Sequence, residues 1–437
     1  MATATNVVQR REFKAGQECR VALVGFGTVG SAVARLLYAR REEHQLKLTL
    51  VCNRQVERKK ADWVKDDVVW TESIEDVMAS DADVVVELIG GLKPAYDWVR
   101  RALESGKSVV TANKQLIAHH GSELLELARE NGQHLEFGAS VAGGIPVLSG
   151  LHKGLAGDRL LKVQGILNGT CNYILTRIER AGVSFAEALV EAQRAGFAES
   201  DPTDDVEGYD ARAKLAILAS RGLNALAEPK QISTTGITRI GRVDFDYAHE
   251  LKCTIRQVSR AELSNGKLLA SVGPSLVGEE SPLASVTGSQ NLVISTGEFG
   301  GDTIFSGYGA GGNPTAVAVV SDLLHLVRYR TAGVADPDRP APKTLPVSDD
   351  FVNKHYVRFV VKDRPGIVAA LAGAFANHHM NIDALLQKSG YDKAALPFVI
   401  TLEPCATSQL KLALAEIAGF DFHAEAPVSF PILRQEP

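Results

Sequence analysis

The sequence is poor in cysteine and has no long apolar run. Its five cysteines, Cys19, Cys52, Cys171, Cys253 and Cys405, are scattered over 437 residues without a CxxC pair. That spacing suits reduced thiols in a cytoplasm and argues against a zinc cluster. No window offers the ~20 apolar residues of a membrane span. The longest uncharged stretch, Thr303 to Ser321, is broken by glycines, Asn313 and Pro314. The first residues, MATATNVVQRREFK, lack the apolar centre of a secretory signal. There is no basic excess either: 47 Lys and Arg stand against 52 Asp and Glu, a net charge of −5. A nucleic-acid partner is therefore not expected. What is present is an ordinary globular balance, 45% hydrophobic and 23% charged. At ~150 residues per domain the length suggests about three domains, in a soluble cytoplasmic protein.

Short apolar runs alternate with amphipathic stretches from Cys19 onward: VALVG (21–25), LKLTLVC (46–52), DVVVELIG (83–90), SVVTANK (108–114) and HLEFGAS (134–140). Between them lie VGSAVARLLYAR and YDWVRRALESG. Buried strands alternating with helices of this length predict a Rossmann-type doubly wound parallel sheet, here placed at residues 19–140. An α+β domain is expected over 141–331, where the glycine clusters AGGIP (142–146) and GAGGNP (309–314) flank long helical patterns. Residues 332–350 carry Pro337, Pro340, Pro342 and Pro346 and read as a semi-rigid linker. Beyond it, residues 351–437 follow the order βαββαβ, a ferredoxin-like unit. Residues 1–18 are polar and expected to fray.

Gly25-Phe26-Gly27-Thr28-Val29-Gly30 follows the strand VALV and opens the helix SAVARLL. Glycine-rich turns are common, but a strand before and a helix after are the context a dinucleotide site needs. Gly25 allows the tight turn, Gly27 the approach of a pyrophosphate, and Gly30 close helix–strand packing. The helix N-terminus then offers free N–H groups and a positive dipole end to phosphate. An NAD enzyme would place Asp or Glu at the end of the second strand. This chain has Asn53-Arg54, then Arg58, Lys59 and Lys60. Cationic groups there suit a 2′-phosphate, Arg54 above all, and favour NADP, with NAD as the alternative. Glu57 in the same loop has the opposite sign.

Polar residues are densest in GFAESDPTDDVEGYDARAKLAILAS, residues 196–220. Glu199, Asp201, Asp204, Asp205 and Glu207 crowd a loop before a helix that starts near Tyr209. Asp210 and Lys214 lie four apart on one face of that helix, acid before base. The apolar LAILA that follows places the pair at a core edge, where a lysine is a candidate general acid. Taken alone, the pair reads equally well as an ordinary surface ion pair, and the acidic loop as a solvated turn. Cys171 is read as a small packing residue rather than a thiolate nucleophile, since no histidine is near it in sequence. His119-His120 and His378-His379 point to different helix faces and read as surface positions.

GILNGTCNYILTRI (165–178) followed by AQRAGFAESDPTDDVEGYDARAKLAILA (192–219) resembles the signature of the homoserine dehydrogenases. The GFGTVG opening, TANK (111–114), ASVAGGIP (139–146) and GAGGNPTA (309–316) match the same family in order. The likeness runs over about residues 19–437, and the last part resembles an ACT regulatory domain. The resemblance implies NAD(P)H-dependent reduction of L-aspartate 4-semialdehyde to L-homoserine, on the route to threonine, methionine and isoleucine. It makes Lys214 the proton donor to the aldehyde oxygen and Asp210 the carboxylate that orients it and helps bind substrate. Glu199, with Asp205 nearby, would hold the substrate's amino group, and Lys114 would lie between nicotinamide and substrate. Gly169 and Thr170 would line the substrate pocket. Thr111, Gly196, Gly309 and Gly311 would lie along the cofactor. Two other readings stand beside this one: a non-enzymatic sensor of redox state and an amino acid, and an NADP-dependent dehydrogenase of another amino-acid aldehyde.

Members of this family bind a monovalent cation such as sodium through a glutamate and backbone carbonyls before the AGGIP turn. Here Gly138 stands in the place of the glutamate. The carbonyls of Val141, Gly143 and Ile145 remain as donors, with Glu136 as a substitute carboxylate. Phe197 stands where many members have tyrosine. Asp363-Arg364-Pro365-Gly366 matches the ACT turn that, paired across a dimer with a helix end such as Asn377 to Ile382, cradles an amino acid. Threonine is thus the expected allosteric ligand, and a homodimer or homotetramer the expected assembly. An interface role alone is the other reading of that turn.

Overall fold

The structure, a computed structural model, describes residues 18–40, 45–332 and 342–433. The expected frayed segment, save Glu18, and the middle of the expected linker, with Pro337 and Pro340, lie outside the described residues. Two compact units are present. The first holds the chain up to Leu160, Ala216–Pro229 and Gly297–Thr344; the second holds Leu161–Leu215, Lys230–Thr296 and the chain from Leu345.

In the first unit six parallel strands lie in the order β3-β2-β1-β4-β5-β6. They are β1 (Cys19–Val24), β2 (Leu46–Cys52), β3 (Val69–Thr71), β4 (Val84–Glu87), β5 (Ser108–Thr111) and β6 (Leu135–Glu136). This is the doubly wound order, in which strand succession reverses between β1 and β4 and leaves a crevice at the strands' carboxyl ends. The run CRVALV is buried at nearly every position because helices cover both faces. Helices α1 (Thr28–Ala39), α2 (Ala95–Glu104) and α3 (Lys114–Glu130) make the crossovers. Strand β3, with the sequence VWT, was too short to announce itself by periodicity. The expected strand over 134–140 is only two residues long and yields to a 3₁₀ turn at Gly138–Ser140.

Helix α9 (Gly312–Ala332) belongs to this unit although it is far away in sequence. Ala316, Val319, Val320, Leu323 and Leu326 join the core formed by Val21, Leu23, Val33 and Val84. The sequence boundaries at 140/141 and 331/332 run along the chain, whereas the compact units interleave. An apolar helix face shows in the sequence; the partner it buries against does not. A two-stranded ladder of β8 (Ala225–Leu226) and β14 (Lys343–Thr344) also lies in this unit.

The second unit is built on one mixed sheet. Its strands include β7 (Leu160–Ile166), β10 (Cys253–Ser264), β11 (Lys267–Gly278) and β12 (Gln290–Gly297), with β13 (Gly301–Tyr308) next in the chain. Short strands β9 (Ser233–Thr234) and β15 (Val347–Ser348) pair in parallel with β11. Part of the expected linker is therefore strand. The C-terminal unit runs β16 (Val352–Val361), α10 (Ile367–Asn377), β17 (Ile382–Leu386), β18 (Leu396–Ala406), α11 (Thr407–Ile417) and β19 (His423–Leu433). This is the expected βαββαβ sandwich, and β19 pairs with β11, so the two sheets are continuous. Helices α4 (Gly169–Ala181), α5 (Phe185–Arg194), α6 (Thr203–Val206), α7 (Tyr209–Leu223) and α8 (Arg242–Glu250) complete the described part used below. Among the described residues no helix is long and apolar enough to cross a membrane.

Candidate active site

The glycine-rich turn of the first unit has the geometry its spacing predicts. Gly25 has φ +103°, and a Cβ there would stand 2.9 Å from the backbone of Leu88. A Cβ on Gly30 would lie 2.1 Å from the carbonyl oxygen of Gly25, so only glycine lets α1 start this close to β1. Around Gly27 the space is open, and Gly27 and Thr28 are exposed while Val29 is half-buried. No side chain caps α1, which leaves its first N–H groups for a ligand. These features fit a bound pyrophosphate. Phe26 is different: its ring is buried against Trp63 and Trp70, and its N–H donates to Asn53 Oδ1 at 2.9 Å. Asn53 thus ties the end of β2 to the turn, and Arg54 beside it is exposed.

At the ends of β4 and β5, buried Glu87 accepts from Ile89 N, from Gly90 N and, at 2.6 Å, from Thr111 Oγ1. Thr111 Oγ1 in turn accepts from Asn113 N. Asn113 caps α3, so Lys114 is its first residue. Gly309 accepts from Gly143 N at 2.8 Å, and Gly311 has φ +115°. A Cβ on the following Gly312 would touch Thr28 at 3.1 Å, which places the 309–312 turn against the start of α1.

The second unit gathers the predicted acids and base. Asn168 caps α4 by accepting from Cys171 N, and its Nδ2 donates to Asp205 Oδ1 at 2.6 Å and Asp210 Oδ2 at 2.9 Å. Lys214 Nζ donates to Asp210 Oδ2 at 2.7 Å and to the Leu167 carbonyl at 3.0 Å. The Lys214 and Asp210 side chains are only 12% and 6% exposed. The pair is thus sheltered rather than an exposed surface ion pair. Thr170 Oγ1 donates to the Phe197 carbonyl at 2.8 Å, and Gly169 packs where a Cβ would meet Ser289 O at 2.7 Å. Glu199 and Gly196 are exposed, and neither joins this cluster of hydrogen bonds. Cys171 is buried, its Sγ donating to the Asp205 carbonyl, and burial pushes its thiol pKa well up. It is a packing residue.

Burial, then the neighbouring Asp210, push the Asp205 carboxyl above its ordinary range. The folded chain therefore keeps a proton that the unfolded chain has released, and this group's contribution falls as pH rises between the two values. Asp205→Asn is expected to raise the melting temperature at pH 7 and to flatten its fall as pH rises above about 4, read by thermal unfolding.

Family models for "Homoserine dehydrogenase" and "Homoserine dehydrogenase, NAD binding domain" match residues 146–324 and 25–138, and an ACT domain model matches 355–420. The homoserine dehydrogenase of Bacillus subtilis is 37% identical over 393 residues, covering 87% of this chain and 91% of that protein. This chain belongs to the homoserine dehydrogenase family. The Mycobacterium tuberculosis homoserine dehydrogenase is 40% identical over 85% of this chain and 87% of its own length. A homoserine dehydrogenase structure from Thiobacillus denitrificans superposes with TM-score 0.89 at 32% identity, covering 97% of this chain and 100% of that one. A hyperthermophilic archaeal homoserine dehydrogenase in complex with NADPH reaches TM-score 0.62 at 26% identity, over 75% of this chain and 100% of that one. The chain is thus an oxidoreductase with an NAD(P)-binding domain and an ACT domain.

As a homoserine dehydrogenase it departs from expectation at Gly138. Asp322, reaching in from α9, accepts from Gly138 N at 2.8 Å, and a Cβ on Gly138 would stand 2.6 Å from Asp322 Oδ1. A side chain there would have to displace the Asp322 carboxyl, which reaches this point from another helix. Burial and then Glu136 push Asp322 well above the usual carboxylate range, so it favours the neutral form. That leaves Glu136, whose charge acts on Asp322, and the carbonyls of Val141, Gly143 and Ile145 as the donor set for a hard cation.

Proposed function

We propose that this chain catalyses the reversible reduction of L-aspartate 4-semialdehyde to L-homoserine in the cytoplasmic synthesis of threonine, methionine and isoleucine, with NADPH preferred to NADH. The observation that carries the chemistry is Lys214 Nζ, sheltered and held by two acceptors, Asp210 at 2.7 Å and the Leu167 carbonyl at 3.0 Å. An ammonium in that setting has its third N–H direction left for a substrate oxygen. A bound nicotinamide supplies or accepts the hydride. Reduction of an aldehyde builds negative charge on its oxygen, and Lys214 stabilises that charge and delivers the proton there. Asp210 holds the lysine in one rotamer, and Asn168 fixes Asp210 and Asp205 together. Glu199 is proposed to anchor the substrate ammonium with Asp205 nearby, Thr170 and Gly169 to line the pocket, and Lys114 to meet the substrate carboxylate. Gly196, Gly309 and Gly311 are proposed to border the cofactor with Thr111. Val141, Gly143 and Ile145, with Glu136 as the substitute carboxylate, are the donors proposed for a sodium-like ion, and no step depends on it.

The NADPH preference rests on Asn53 standing where an acidic residue would hold a ribose hydroxyl, with exposed Arg54 next to it. Arg54→Ala is expected to raise KM for NADPH about tenfold, the scale of one charge-assisted hydrogen bond, and to leave KM for NADH within about twofold. Initial rates with aspartate 4-semialdehyde and each cofactor test both points. Turnover with NADPH supports the activity; none with either cofactor in a folded sample defeats it, and equal KM values defeat the preference. Threonine is proposed as a feedback ligand and a homodimer or homotetramer as the assembly, the first read by inhibition and the second by light scattering.

A further inference from the structure

Two adjacent residues at the end of β7 hold the Lys214–Asp210 pair from both sides. The Leu167 carbonyl accepts from Lys214 Nζ at 3.0 Å, and the next side chain, Asn168, donates to Asp210 Oδ2 at 2.9 Å. Both residues are almost wholly buried, 1% and 3% exposed. The Asn168 amide is used to its full capacity. Its Oδ1 accepts from Cys171 N at 2.8 Å, and because a backbone N–H only donates, that bond fixes which way round the amide lies. Both hydrogens of Nδ2 then go to acids, one to Asp210 and one to Asp205 Oδ1 at 2.6 Å.

Serving two acids is more than capping requires. As helix caps Asn, Asp and Ser are nearly equivalent, but only an amide accepts on one side and donates twice on the other. The charges explain the need. Asp205 lies near enough to Asp210 and Lys214 for both charges to act on it, so two acids stand beside one ammonium. Lys214 gives N–H groups to Asp210 and to the Leu167 carbonyl, and a third direction is left for a substrate oxygen. An Asp205 carboxylate free to turn would be drawn to that third N–H. The bond from Asn168 opposes the turn. We propose that Asn168 is a positioning residue that assigns the two acids, Asp210 to Lys214 and Asp205 to the substrate's ammonium, and so keeps the third N–H of the lysine open. These roles rest on the proposed dehydrogenase reaction; the service of one amide to two ionised acids does not.

Asn168→Ser separates this role from capping, because serine caps α4 but cannot donate to both acids. It is expected to lower kcat about tenfold to a hundredfold, the scale of a hydrogen bond to a charged group. KM for aspartate 4-semialdehyde should rise about tenfold on the same scale, with KM for NADPH within about twofold. Asn168→Asp, nearly the same size, caps equally well but sets a third carboxyl beside the other two, and is expected to lose at least as much kcat. Adding Asp205→Asn to Asn168→Ser removes the competing charge and is expected to return roughly fivefold or more in kcat, with no recovery in KM for the semialdehyde. A residue that only caps would leave kcat in either single variant within about threefold of the parent, and that result overturns the proposal. So does a double variant no faster than Asn168→Ser. If Asn168→Ser does not fold, Asn168→Asp decides.

Melting temperature gives a test independent of turnover. The ionisable groups facing the amide are Asp205 on α6, Asp210 and Lys214 on α7 and the Cys171 thiol on α4. The bond from Asn168 holds the Asp205 carboxyl below where burial alone would put it, so losing that bond pushes it further up. The cost vanishes at low pH, where the acid is protonated in both folded and unfolded chains, and grows as pH rises. The deficit of Asn168→Ser against the parent is therefore expected to widen from about pH 4 to pH 7, whereas a weakened cap costs the same at both. A deficit that does not widen overturns the proposal whether or not the parent turns over. A folded parent without turnover defeats the dehydrogenase reaction, and the melting comparison then decides what the amide serves. Turnover in the parent with unchanged variants defeats the role of Asn168 alone.

Discussion

Replacing Lys214 with alanine is expected to lower kcat by about 10²–10⁴-fold, the usual contribution of a positioned acid or base. The fold should survive, because Asp210 keeps its bond from Asn168 at 2.9 Å and sits at the start of a long helix. On the proposed mechanism, removing this ammonium takes away the proton and the charge that meet the developing alkoxide, while the nucleotide cradle in the first unit is untouched. KM for NADPH should therefore stay within about threefold while kcat collapses, a split that separates loss of chemistry from loss of cofactor binding. Lys214→Arg keeps a charge, but its guanidinium does not give up a proton, and it is expected to recover little. A kcat within about threefold of the parent for Lys214→Ala would overturn the assignment of the proton donor.

The positions that sequence reading found are those where a backbone demand or a fixed helical spacing leaves a mark. Gly25 and Gly30 are glycine because a Cβ would strike Leu88 or Gly25 itself, and a missing side chain is visible in the letters. Asp210 and Lys214 share a helix face by arithmetic alone; their shelter from solvent is a property of tertiary packing and became readable only in the fold. Resemblance, not spacing, singled out Glu199 and Lys114.

The contacts that went unnoticed join partners distant in sequence. Asn168 joins two acids 37 and 42 residues away. Its place just before GTCNYIL is a helix-cap signal that could have drawn attention to it. Glu87 bonds across the strand ends to Thr111, and Asn53 reaches back 27 residues to the glycine turn. Asp322 lies 184 residues from the Gly138 amide it binds, within a helix whose pattern shows only that one face is apolar. Nothing local in the letters around Gly138 reveals that its missing side chain makes room for that carboxyl. The same long-range closure explains why the packing of α9 in the first unit does not show in the letters.

Replacing Asp244 with alanine is expected to destabilise the second unit by roughly 3–5 kcal/mol, the cost of stranding a buried charge. Asp244 is fully buried in α8 and serves three groups at once. Its Oδ2 accepts from Gly241 N at 2.9 Å at the start of its helix. Its Oδ1 accepts from Tyr356 Oη at 2.9 Å and lies 3.3 Å from Arg358 Nε, both on the ACT strand β16. Alanine leaves the 8% exposed Arg358 without its counter-ion, keeping only the bond from Nη2 to the Arg239 carbonyl. It also leaves a buried tyrosine hydroxyl without its acceptor. Urea unfolding reads the loss. Glu104→Ala, which breaks the exposed pair with Arg100, is the control and should cost less than about 1 kcal/mol. Arg358→Met placed on top of Asp244→Ala should return a substantial part of the lost stability, because it removes the stranded charge rather than restoring a contact. Additive losses in that cycle would mean that the two side chains stabilise the joint between helix and strand independently, and that the ion pair is not what holds it.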